Sequence, residues 1–227
     1  MILDRFFLGV FPYLAVVVAV AGTFARWRHR PDTVSARSSQ LMEGRLQRLG
    51  SLSWHWAILA VLVAHLVAAL APGAFGRLLA SPVRLYVLEV TGLALGLLAL
   101  FGLGLLAVRR LRLRVATSAQ DWLVLALLAA QAGTGVWIAF TLRWGSGWFL
   151  HTAAPWLASL ARLDPQLEPM LVLPLVVKLH AVGAFVLLAL VPFTRLVHAF
   201  VWPVGYLWRA PQLVLWRRPR GAGEVVR

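Results

Sequence analysis

The chain of 227 residues carries 22 basic against 8 acidic side chains, a formal charge of +14, yet 61% of it is hydrophobic and 13% charged. A mean hydropathy of +0.80 lies far above that of soluble domains, so the arginines read first as membrane topology, and no nucleic-acid partner is expected. The absence of cysteine excludes disulfides, thiolate-held iron–sulfur clusters and covalently attached c-type haem.

In chain order, five stretches are long enough to cross about 30 Å of hydrocarbon at about 1.5 Å per residue. They run from Phe6 to Ala25, Trp54 to Ala71, Leu85 to Val108, Trp122 to Leu142 and Met170 to about Val201. Unpaired backbone groups are costly in lipid and the runs lack the strict alternation of barrel strands, so the expected fold class is all-α: a single membrane bundle of five helices over 1–227. Arg26, Arg28 and Arg30 follow the first span instead of preceding it, the reverse of a secretory signal, so a retained helix is expected. Breakers mark the short connections: Pro72-Gly73, Ser81-Pro82 and Gly145-Ser146-Gly147. Trp148 to Leu160 has a rough helical period that assigns it to the outer interface. A basic tail follows from about residue 208.

Arginine is unevenly distributed. Arg26, Arg28, Arg30, Arg37, Arg45 and Arg48 lie between spans one and two, Arg109, Arg110, Arg112 and Arg114 between three and four, and five more beyond residue 205. The other side has Arg5, Arg77, Arg84, Arg143 and Arg162. The positive-inside rule then predicts an outer N-terminus and a cytoplasmic C-terminus.

Four of the six histidines fall in two spans: His55 and His65 on span two, His180 and His198 on span five. An intramembrane imidazole is expensive unless paired or ligated. Spans two and five run in opposite directions, so His55 comes level with His198 at the inner end and His65 with His180 at the outer end. Each pair offers two axial nitrogens to one iron. The rise between the histidines is about 15 Å on span two but about 27 Å on an unbroken span five, and a kink at Pro192 is required to absorb the difference. On an unbroken helical wheel His180 and His198 share a face, while His55 and His65 lie about 80° apart.

Ala64, Ala68 and Ala69 on span two, with Ala181, Gly183 and Ala184 on span five, leave room for a flat macrocycle, and equally suit close helix packing. Zinc is the competing ligand, but a tetrahedral site needs all four nitrogens within about 2 Å of one ion. Histidines spread over more than two helical turns favour two separate sites, for which haem is suited. Haem propionates need cations; Arg195 and Lys178, the chain's sole lysine, are the candidates on span five. Snorkelling to the headgroups is the alternative role for both.

The chain resembles the gamma subunit of respiratory nitrate reductases, a membrane-bound dihaem cytochrome b. The likeness runs through Ser38-Ser39-Gln40, His55, His65 and Leu70-Ala71-Pro72, then Lys178-Leu179-His180, the run Pro-Phe-Thr-Arg-Leu-Val-His ending at His198, and Pro203-Val204-Gly205-Tyr206-Leu207. Spacings of 10 and 18 between histidines are similar to the family's. The resemblance implies a bacterial or archaeal cytoplasmic membrane and two haem b, the inner held by His55 and His198 and the outer by His65 and His180. It also implies oxidation of menaquinol or ubiquinol near the outer haem, with electrons passing to an iron–sulfur beta subunit and a molybdenum-containing alpha subunit. Family members are expected to use a lysine at the quinol site; the nearest basic residue here is Arg84.

Two rival readings stay open at this point. The haem ligands are equally compatible with another quinol-linked reductase. In a plain anchor or transporter the histidines would pack or relay protons, although internal repeats and broken helices would then be expected.

Overall fold

The computed structural model describes residues 2–29, 45–112, 118–142 and 145–199. Within them the chain is helical, with five helices long and apolar enough to cross a membrane. These are α1 (Ile2–His29), α2 (Arg45–Leu70), α4 (Pro82–Arg112), α5 (Ala119–Thr141) and α9 (Leu175–Leu190), the last continued by a 3-10 turn, Val191–Phe193. Short helices join them: α3 (Pro72–Leu79), α6 (Gly145–Phe149), α7 (Ala153–Ala161) and α8 (Glu168–Leu171). The segments Ser38 to Gln40 and Pro203 to Leu207, Arg143 and the basic tail lie outside the described residues.

Apolar composition makes these helices long, and their partition into lipid leaves large side chains such as Phe24, Leu62, Phe101 and Phe140 on the outside. Without a hydrophobic drive between helices, contact depends on small residues that let backbones approach. At the crossing of α2 and α4, a Cβ on Gly102 would stand 2.6 Å from the backbone nitrogen of Trp54 and 2.8 Å from the carbonyl of Gly50. On α1, the buried Ala15 and Ala19 continue into Gly22, where a Cβ would stand 2.8 Å from the Pro192 ring. Two ties show that α1 and α9 run side by side in the same direction. Lys178 pairs with Asp4 at 3.5 Å at one end, and Arg26 reaches the carbonyls of Pro192 and Thr194 at the other.

The fifth span departs from the single run expected from Met170 to Val201. Pro174 caps a helix that begins at Leu175, and the α-helix ends at Leu190. Pro192 cannot continue the hydrogen-bond ladder. The chain turns through 3-10 geometry, passes an extended Thr194 (φ −125°, ψ −179°) and forms a second 3-10 turn, Arg195–Ala199. His198 is therefore not on the helical wheel of His180.

A second proline shapes α1. Pro12 has no N–H to give the carbonyl of Leu8, and the helix widens into a π turn over Phe6–Val10. The indole Nε1 of Trp156 donates to that carbonyl at 3.0 Å. Trp156 belongs to α7, and with Leu8, Ala153, Leu160 and Met170 it forms a buried apolar cluster. The segment expected to lie along the interface is thus packed into the end of the bundle, because its tryptophan replaces the donor that proline lacks. Tyr13 strengthens the contact by donating to the Leu160 carbonyl at 3.0 Å. Trp156→Phe should leave the Leu8 carbonyl unsatisfied and cost about 1–3 kcal/mol, read as a lower unfolding midpoint of the detergent-solubilised chain.

Candidate haem sites in the membrane

The break at Pro192 carries His198 to the level of His55. Their ring centroids stand 6.1 Å apart, with the planes at 62°. An imidazole nitrogen binds a first-row metal at about 2 Å, so two rings on opposite sides of one ion have centres about 6 Å apart. The pair therefore has the separation of two axial ligands. His55 sits on α2 one turn after Ser51, whose carbonyl takes its Nδ1–H at 2.7 Å, with the Ser51 hydroxyl 3.2 Å from the same nitrogen. The Nδ1–H of His198 is bonded to the carbonyl of Arg195.

At the other end of α2, His65 directs Nδ1–H to the Val61 carbonyl at 2.8 Å. His180, expected to be its partner, sits on α9. His180 is held by α5. The hydroxyl of Thr134 donates to the carbonyls of Ala130 and Gln131, so its oxygen accepts from His180 Nδ1 at 3.0 Å. Gln131 Nε2 donates to the His180 carbonyl at 3.0 Å and stands 3.4 Å from its Nε2. One turn on, a Cβ at Gly135 would approach His180 Cε1 to 3.1 Å, so glycine makes room for the ring.

All four rings thus set Nδ1 against an oxygen, and at His180 the Gln131 amide also stands against Nε2. A backbone or hydroxyl acceptor behind a metal-bound imidazole fixes its tautomer and orientation in the same way. No group of three or more histidine, aspartate or glutamate side chains converges on a metal-sized point among the described residues. Among these side chains His55 and His198 stand as one facing pair from two different spans.

A cavity of about 440 Å³ is lined from the expected Pro72–Arg84 stretch by Pro72, Gly76, Leu79 and Ala80, and closed by Leu85, Gly147, Leu150 and His151. Phe149 of α6, next in the chain to the lining residue Leu150, meets His65 edge-on at 6.1 Å.

The family described as nitrate reductase gamma subunit matches residues 4–217. The chain belongs to that family. It is 33% identical to the nitrate reductase gamma chain of Bacillus subtilis, with 89% of this chain and 93% of that one aligned. It is 32% identical to the respiratory nitrate reductase 1 gamma chain of Escherichia coli, over 93% and 97%. The nitrate reductase-like protein NarX of Mycobacterium tuberculosis is 33% identical and shares 36% of its length with this chain. As a gamma subunit the chain is the multi-pass membrane part of a nitrate reductase complex, and so of an oxidoreductase.

Within this gamma subunit the expected cations are already engaged. Lys178 pairs with Asp4, while Arg195 Nε stands 3.2 Å from Asp121. Arg84 donates through Nε to Leu78 O at 2.7 Å and through a terminal nitrogen to Arg77 O at 3.2 Å, which ties down the end of α3. Two of its five N–H donors are thereby taken.

Sequence reading missed the supports. Gln131, Thr134 and Gly135 fall at helical i, i+3, i+4 spacing, a polar and small face on an apolar helix that signals a neighbour. His151, placed in a loop, reaches the cavity only through the folding of α6 and α7. Histidine labelled with 15N should show the four intramembrane rings of the unloaded chain as Nδ1–H tautomers; Nε2–H signals from these rings would contradict the arrangement.

Proposed function

We propose that the chain is a dihaem cytochrome b that oxidises quinol near one membrane face and delivers the electrons to redox subunits on the other. The observation that carries this reading is the approach of His55 and His198, from different spans, to 6.1 Å between ring centroids, with Nδ1 of all four intramembrane imidazoles set against an oxygen. Packing accounts for a lone intramembrane histidine bonded to its own helix, but not for two rings from different spans at the separation of axial ligands.

His55 and His198 would hold one haem b, His65 and His180 the other. Bound haem supplies one-electron carriage, which the protein confines to a path through the bundle. The chain's own residues fix the imidazoles, exclude water from the apolar interior, and provide the cavity. A menaquinol or ubiquinol head in that cavity would lie beside the outer pair, where it gives up two electrons and two protons. Arg84 would hold the cavity wall by anchoring α3, and its remaining donors are available to a quinone oxygen. Arg195 and Lys178 stand as propionate partners only through the donors that Asp121 and Asp4 leave.

The arginine-rich end would face the cytoplasm, with the N-terminus outside, in the cytoplasmic membrane. There it would receive an iron–sulfur beta subunit and a molybdenum-containing alpha subunit, whose catalytic site this chain does not itself supply.

His55→Ala and His198→Ala should each remove the same haem from reduced-minus-oxidised spectra, and His65→Ala and His180→Ala the other. Grouping of His55 with His65 would sink the pairing. In the same preparations Arg84→Ala should slow quinol-driven haem reduction about tenfold, within the range of lost outer-sphere support, and leave dithionite reduction intact. Release of quinol protons on the arginine-rich side of sealed vesicles would exclude the cavity as the donor site.

A further inference from the structure

The interrupted end of span five exposes backbone that no helix completes, and each carbonyl through it has a partner. Thr194 serves the first two, with Oγ1 donating to Leu190 O at 2.8 Å and N–H to Val191 O at 3.3 Å. Arg26 on α1 serves two more, one terminal nitrogen donating to Pro192 O at 2.8 Å and Thr194 O at 2.9 Å. Gln120 on α5 donates to Phe193 O. The remaining carbonyl, of Arg195, takes His198 Nδ1. The adjacent Asp121 is buried, completes a capping box with Ser118, and pairs with Arg110 at 3.3 Å and Arg195 at 3.2 Å.

We infer that Arg26 and Gln120 are positioning residues for His198, clamping the non-helical segment Pro192–Arg195 so that its imidazole stands opposite His55. Irregular backbone at membrane depth persists only where protein groups satisfy it. Without the clamp, the carbonyls of Pro192, Phe193 and Thr194 lose their donors. The turn that presents His198 then loses its fixed orientation, since its own ring is hung from the next carbonyl. Arg26 is neither near the outer pair nor part of the cavity, so the effect is confined to one of the two sites. Gly22, one turn before Arg26 on the same face, is what lets α1 approach Pro192 closely enough for the arginine to reach. A topological arginine at the end of a span acts through charge alone, and Arg28, exposed two residues on, is the natural comparison.

The inference rests on the dihaem reading, and two readouts separate their failures. In the full chain purified from membranes, Arg26→Met should weaken retention of the haem assigned to His55 and His198 by about tenfold or more and shift its electron paramagnetic resonance signal. The haem of His65 and His180 should be unchanged. Arg26→Lys should restore the site in part, and Arg28→Met should match the wild type. Hydrogen exchange over 191–199 should quicken in Arg26→Met and in Gln120→Leu, a readout that needs no haem. Wild-type exchange in both variants, equal disturbance of both haems, or an Arg28→Met chain that behaves like Arg26→Met would overturn the clamp. A wild-type chain that holds no haem would sink the dihaem reading alone, because the exchange comparison still decides the clamp.

Discussion

In hydrocarbon a backbone carbonyl deprived of its helical donor must find another, because no water is there to replace it. Among the described residues two prolines, Pro12 and Pro192, interrupt spanning helices, and the packing around them follows from those deficits. At Pro12 the missing N–H is replaced by the indole of Trp156, which draws α7 into the end of the bundle. At Pro192 the replacements come from α1 and α5, through Arg26 and Gln120. In both places a side chain distant in sequence fills a local vacancy in the ladder, so satisfying the backbone also orders the helices.

The second interruption has the larger consequence. An unbroken α9 would carry His198 about 12 Å further along the axis than the spacing on α2 allows, given about 1.5 Å of rise per residue. The break discards that excess and brings the ring within 6.1 Å of His55. His180 needs no such device, since it sits on regular helix and is steadied from α5 by Thr134 and Gln131. His65 and His180 thus sit on regular helices, whereas His198 sits on a turn whose carbonyls are bonded by Arg26 and Gln120.

The five spans, the absence of strands among the described residues and the antiparallel matching of His55 with His198 were legible in the sequence, because hydropathy and arginine placement govern them directly. The need for a kink at Pro192 was legible too, from the mismatch in rise. Its form was not, since a proline announces an interruption without specifying what replaces the lost bonds. Arg26 was hidden for a related reason: an arginine after an apolar span is fully explained by topology, and nothing local separates it from Arg28. Trp156 read as interfacial because its amphipathic ring suits that position; its partner is nearly 150 residues away. Lys178 and Arg195 read as cations awaiting an anion, and only the fold shows that Asp4 and Asp121 reach them first.

In the proposed reading, two pairs of imidazoles make two haem sites in one polypeptide. A redox titration of the purified wild-type chain, with protohaem and protein quantified in the same sample, tests it most directly. The account predicts two b-type haems per chain, both low-spin with two nitrogenous axial ligands, titrating as separate one-electron steps. A chain that binds no haem, or one haem shared by histidines of both pairs, would contradict it.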